Sequence, residues 1–148
     1  MNKILAVTLF LSSFCFAQNN QNQEIERPIR NLFLGMKNAD QELLKSVFSE
    51  SAILQTITKG GTVNTESIPD FISSISKASK DDLDERITIE AVHVDGNLAS
   101  VFTPYQFYYK GKFLHCGANS FQLVKQNNVW KIQYIIDTRR KENCENSK

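Results

Sequence analysis

ASVFTPYQFYYKGKFLHCGANSFQLVKQNNVWKIQYIIDTRRKENC, residues 99–144, alternates apolar and polar positions in three long runs broken at Lys110-Gly111 and Asn127-Asn128. A period of two marks strands with one buried face, and two-residue breaks of this composition are hairpin turns, so the stretch predicts three consecutive antiparallel strands. It also carries nearly every polar side chain able to work inside a pocket. Pairing Gln126 with Val129 and counting outward puts His115, Asn119 and Phe121 on one face with Trp130, Ile132, Tyr134 and Arg140. Cys116, Gln122, Asp137 and Arg139 take the other face. The first set is the more apolar and is expected to meet the rest of the chain.

The preceding turn is read as a two-residue loop at Lys110-Gly111, which pairs Gln106 with His115 and Phe102 with Asn119; one extra residue would swap the faces. In this register Phe102, Gln106 and Tyr108 join His115 and Asn119. Val101, Thr103, Tyr105, Phe107 and Tyr109 then form an outer face apolar enough to pair with a second copy, and a homodimer is expected.

Upstream, Ile25, Ile29, Leu32, Phe33 and Met36 line one face of a helix, with Pro28 in its first turn and Gly35 weakening its end. Asp40 caps a short second helix bearing Leu43, Leu44, Val47 and Phe48. A strand over 52–58, a Gly60-Gly61 turn and a loop to Thr65 lead to a third helix, started by Ser67 with Pro69 and Asp70 in its first turn. A charged link, Lys80 to Glu85, precedes a strand over 86–94, and Asp95-Gly96-Asn97 turns the chain into the meander. Helices gathered on one face of a curved antiparallel sheet define an α+β fold with a pocket at its wide end.

The stretches KNADQELLKSVFSESAILQ, ESIPDFI, PYQFYYKGKFLHCGANSFQLVK and VWKIQYIIDTRR resemble the nuclear transport factor 2-like (NTF2-like), or SnoaL-like, superfamily, and within it the family named putative lumazine-binding. The resemblance covers about residues 25 to 140. It implies a cone of three N-terminal helices on a curved, mostly antiparallel sheet. It implies little about chemistry, because that superfamily hosts isomerases, dehydratases, transport factors and inert binders.

At the N-terminus, Lys3, an apolar run from Ile4 to Leu11 and a small-residue ending at Ala17 form the pattern of a secretory signal peptide cleaved before Gln18. The domain division expected is therefore a signal over 1–17, a disordered leader QNNQNQ over 18–23, the folded domain over 24–141 and a tail over 142–148. Removing the signal leaves 16 basic and 16 acidic side chains. A neutral chain of this kind speaks against a nucleic-acid or anionic-membrane binder, and no membrane association is expected after cleavage. Export also permits a disulfide between Cys116 and Cys144, contributing ~3–4 kcal/mol by loop closure. Cys116 lies across from Arg139 in this register, and a straight strand would leave Cys144 ~17 Å away, so the bond requires the chain to fold back after Arg140. The sequence leaves bonded and free forms open.

For function, His115, Asn119 and Gln106 are the polar candidates to orient a small aromatic or heterocyclic ligand, with Phe102, Tyr134 and Trp130 as apolar walls. His115 is the candidate acid or base if there is catalysis, since its ordinary pKa lies near neutrality. No carboxylate falls on the predicted inner face, which disfavours the isomerase or dehydratase alternative. His115 and Cys116 adjoin but point to opposite faces, which argues against a thiolate-imidazole pair. His93 and His115 without a cysteine pair at ligand spacing make no zinc motif, and no cofactor is expected. A dimeric protein-interaction module is the remaining alternative.

Overall fold

The computed structural model describes the backbone of residues 4–144 and side chains from residue 21 onward. In chain order the elements are α1 (Ile4–Asn38), α2 (Gln41–Val47), β1 (Phe48–Ile57), β2 (Val63–Glu66), α3 (Ile68–Ile75), β3 (Leu83–Ile87), β4 (Ala91–Asp95), β5 (Leu98–Tyr109), β6 (Lys112–Gln126) and β7 (Val129–Thr138). The sheet runs β2-β1-β7-β6-β5-β3, with β4 also on β5. It is mixed but mostly antiparallel, the exception being β1 beside β7, where Ile53 pairs with Tyr134 and Ile57 with Thr138 in parallel. Three helices on this sheet make the α+β cone expected. Among the described residues no helix is long and apolar enough to cross a membrane.

The helices follow their local chemistry. Asp40 Oδ1 accepts from Leu43 N–H at 3.0 Å, and Ser67 Oγ accepts from Asp70 N–H at 3.2 Å, so each short helix begins on its side-chain cap. Ile25, Ile29, Leu32, Phe33 and Met36 are all buried. Phe33 meets Phe121 of β6 edge to face at 6.2 Å, and Phe48 meets Phe71 of α3 at 6.3 Å, contacts of about 0.5–1.5 kcal/mol each beyond the area they bury. Gly35 makes room for Leu44, whose carbons would lie 2.9 Å from an added Cβ.

Several boundaries differ from the sequence reading. α1 runs unbroken through the polar segment read as a disordered leader, and Pro28 lies inside it rather than in its first turn; a helix anchored by a buried downstream face extends at little cost per residue. Phe48 opens β1 instead of closing α2. The loop before Thr65 contains β2, paired with β1 from Leu54–Glu66 to Ile57–Val63. The strand read over 86–94 is two strands, β3 and β4, and half of the supposed charged link belongs to β3.

The largest differences come from two bulges. Both hairpin turns are two-residue turns with left-handed φ at Lys110, Gly111, Asn127 and Asn128, as their composition demands. Next to them the anticipated pairings hold, Tyr108 with Phe113 and Leu123 with Ile132. Then β6 inserts one residue at Leu114, so that Phe107, not Gln106, pairs with His115, and Thr103 pairs with Asn119. β7 inserts one at Gln133, so that Asn119 pairs with Asp137 and Cys116 with Arg140. A single extra residue moves every later side chain to the opposite face.

Consequently Val101, Thr103 and Tyr105, read as a dimerising outer surface, are buried under the helices together with Ala99. Phe102, Gln106, Tyr108, Tyr134 and Arg140 lie on the convex side, while Asp137 and Arg139 turn inward. Cys116 and Cys144 are bonded, with Cα atoms 5.7 Å apart, because the chain does fold back after Arg140. Gln106 Nε2 donates to the Cys144 carbonyl at 3.0 Å and holds the returning segment against the convex face.

Candidate functional site

Between α1, α3 and the concave sheet lies a cavity of about 220 Å³, roofed by Leu32, Phe33, Met36, Phe71 and Ile75. Its apolar walls end in a polar floor built from four strands: Glu85 of β3, Tyr105 of β5, His115 and Asn119 of β6, and Asp137 of β7, with Arg139 just beyond. Each polar residue occupies an inward position of its strand.

Asn119, 5% exposed, donates through Nδ2 to Glu85 Oε1 at 2.9 Å and to Thr103 Oγ1 at 3.3 Å. Burial pushes the Glu85 carboxyl up to about 7; the Asn119 hydrogen bond opposes this and the Asp137 charge adds to it. Near neutrality Glu85 is thus a mixture of acid and carboxylate, whereas an ordinary glutamate is fully ionised. Lys37 of α1 bonds the neighbouring Asp84 at 3.1 Å and locks β3 against the helix.

Tyr105 crosses over Gly117, its partner on β6, to reach β7. A Cβ on Gly117 would lie 1.8 Å from the Thr138 carbonyl oxygen and 2.8 Å from the Tyr105 ring, so only glycine fits. The Tyr105 hydroxyl lies 2.9 Å from Thr138 O, 3.2 Å from His115 Nδ1 and 3.4 Å from Asp137 Oδ2. A phenol has one hydrogen, and the carbonyl, nearest of the three, can only accept. The hydroxyl therefore donates to Thr138 and accepts from His115 Nδ1–H, leaving His115 Nε2 as the acceptor nitrogen. Burial and then the Arg139 charge hold the imidazole below its ordinary pKa, which keeps it neutral. Burial first, and then the Glu85 and Asp137 charges, raise the Tyr105 phenol far above its usual range. Phe107 stacks on the imidazole with centroids 5.0 Å apart.

Asp137, 6% exposed, is enclosed by donors: Thr56 Oγ1 at 2.5 Å to Oδ1 and Arg139 Nε at 2.9 Å to Oδ2. Arg139 Nη2 also donates to Thr56 Oγ1 at 3.1 Å, closing a three-residue ring across the parallel β1–β7 pair. Among the described residues no group of His, Cys, Asp and Glu has the makeup of a metal site.

Of the residues singled out from sequence, His115 and Asn119 meet in this floor. Phe102, Gln106 and Tyr134 do not: Phe102 is 42% exposed on the convex side, Gln106 bonds the tail, and the Tyr134 hydroxyl donates to Gln55 Oε1 at 2.7 Å. Trp130 is buried in the core away from the cavity, its Nε1 without a partner among the described residues. Tyr105, Thr103, Asp137 and Arg139 were hidden by the two bulges, and Glu85 by its assignment to a link. Leu83, Glu85 and Ile87 alternate at period two, and that spacing was the available sign of an inward carboxylate.

The geometry is that of a cone enclosing a cavity, and solved structures agree with this fold. The chain is similar to an NTF2-like protein from Shewanella baltica OS155 (15% identity, TM-score 0.67, covering 83% of this chain and 96% of that one). It is also similar to an NTF-2 like protein from Silicibacter pomeroyi DSS-3 (16%, 0.68, 83% and 98%) and to a protein with a cystatin-like fold from Nostoc punctiforme PCC 73102 (10%, 0.66, 82% and 92%). At these identities the likeness establishes the fold, the NTF2-like cone. Residues 20–134 match the sequence profile described as "Putative lumazine-binding", and the chain belongs to that family. No protein with curated function matches it in sequence.

Proposed function

We propose that this protein is an exported receptor for a small heterocycle, held in the cone without chemical conversion. The observation that carries the reading is the polar floor of an otherwise apolar cavity: a carboxyl still partly protonated near neutrality at Glu85, an acceptor nitrogen at His115 and a buried amide at Asn119. A neutral carboxyl presents a donor beside an acceptor, which complements the adjacent N–H and C=O of a lactam edge through two hydrogen bonds. The volume lies below the ~300–1,000 Å³ usual for drug-sized ligands, which favours one or two rings over a steroid. The family's name points toward the same ring class.

The test is fluorescence titration with lumazine and pterin. Saturable binding is expected, with Glu85→Leu weakening it about tenfold through the lost hydrogen bonds. Absence of binding by any lumazine, pterin or flavin precursor at ~1 mM would overturn the reading.

A second reading, acid–base catalysis, gains support from His115 and the Glu85 carboxyl, which share the cavity floor, since carboxylates do stand on the inner face. Turnover of a bound ring that is lost in both His115→Gln and Glu85→Gln would favour it over simple binding.

Export is supported by the Lys3, Ile4–Leu11, Ala17 pattern and by the Cys116–Cys144 bond, which suits an oxidising compartment. Mass spectrometry of the exported product should find Gln18 at its N-terminus. Two-copy association is supported by Leu98, Phe102 and Phe113, each more than 40% exposed on the convex face.

A further inference from the structure

We propose that the cavity has an anion-recognition mouth, so that the ligand is a ring bearing a carboxylate or phosphate, bound ring first with its acid outward. This inference rests on the reading that the inner cavity accepts a ring. His115 and Arg139 line the inner cavity and also an adjoining open cleft of about 490 Å³, whose other walls are Lys59, Arg140, Lys141, Glu142 and Asn143. Lys59, Arg139 and Lys141, with Arg140 from the convex side of the same strand end, thus gather round a cleft whose own carboxylate is Glu142.

The topology explains why they converge. Because β1 and β7 are parallel, their ends lie together: Ile57 pairs with Thr138, so the β1–β2 turn brings Lys59 beside Arg139 and Arg140. The segment after Arg140 is then held in place by the Cys116–Cys144 bond, by Gln106 Nε2 donating to the Cys144 carbonyl, and by Arg140 Nη2 donating to the Asn143 carbonyl at 3.3 Å. Among the described residues, Lys59, Arg140 and Lys141 form no ion pair, whereas Arg139 is engaged by Asp137. An unpaired cluster at the rim attracts anions over roughly a Debye length.

The floor supplies the opposite preference. Glu85 in its ionised fraction repels an acid group from the deep end, while the neutral edge of a ring meets hydrogen-bonding partners there. Attraction at the mouth and repulsion at the floor together fix the orientation of an amphipathic acid.

The test compares naphthoate with naphthamide, which share a two-ring body and differ in charge, and inorganic phosphate as a ring-free probe, by calorimetry on the full chain. Naphthoate is expected to bind about tenfold more tightly than naphthamide at low salt, a preference lost near 300 mM salt. Lys59→Gln and Lys141→Gln, both exposed and outside the floor, should each weaken naphthoate about threefold, together about tenfold, and leave naphthamide unchanged. A naphthyl phosphate binding more tightly than naphthoate would assign the mouth to phosphate esters; the reverse order would assign it to carboxylates. Equal binding of naphthoate and naphthamide overturns the anion mouth while leaving the ring pocket standing. Phosphate binding that is sensitive to Lys59→Gln, without any ring binding, upholds the mouth and refutes the ring reading. No binding by any probe refutes both.

Discussion

Glu85 sets how stability should respond to acid. Its carboxyl keeps its proton up to about pH 7 in the folded chain but releases it near 4.5 when unfolded, so between these values the folded state binds more protons. Its contribution is fully present below pH 4.5 and is lost as pH rises through 7. Over that window wild-type stability should fall by on the order of 2–3 kcal/mol relative to Glu85→Gln, whose amide does not titrate, as measured by urea unfolding at several pH values. Gly117 is equally exacting for a steric reason. Gly117→Ala forces a methyl group against the Thr138 carbonyl and the Tyr105 ring, and should cost at least ~2 kcal/mol in the same measurement. The Tyr105–His115 contact would be lost with it, visible as a shift of the His115 ring resonances.

At the scale of elements, the returning tail is an added wall fastened by one covalent bond. Cys144→Ser should lower stability by about 3–4 kcal/mol, by the loop-closure arithmetic for a sequence separation of 28, and reductant should lower wild type but not the variant. Helix caps at Asp40 and Ser67 and both hairpin turns were legible because each is a local agreement between a few neighbouring residues. The bulges at Leu114 and Gln133 were not legible. Either face of β5 is apolar enough to be buried, Phe102 and Tyr108 against Val101 and Phe107, so alternation alone does not choose between registers. The choice is made by long-range fits: Tyr105 needs the opening above Gly117, and Asp137 needs Thr56 from a strand about eighty residues away. His115 and Asn119 were found because they lie between the two slips, on a strand whose own alternation is unbroken from His115 to Leu123.

For the whole molecule, the outer surface has a composition different from the one anticipated. Of the residues first assigned to a dimer face, Val101, Thr103 and Tyr105 are buried inside, Phe107 is partly buried and Tyr109 stays exposed, and Leu98, Phe102 and Phe113 are the exposed apolar groups of the convex side. Sedimentation at high micromolar concentration should show a dimer, with Phe102→Glu shifting it to monomer while ring binding persists; a wild-type monomer at those concentrations would remove that association.

The parallel seam between β1 and β7 dictates when the site can come into being. β5, β6 and β7 join neighbours along the chain, whereas Ile53 must wait for Tyr134, roughly eighty residues later. Closing so long a loop is slow, and on a ribosome it is impossible until β7 has emerged. The Lys59 turn and the Thr56 hydroxyl therefore join the cavity last, and its floor is incomplete until β7 has been made and has docked on β1.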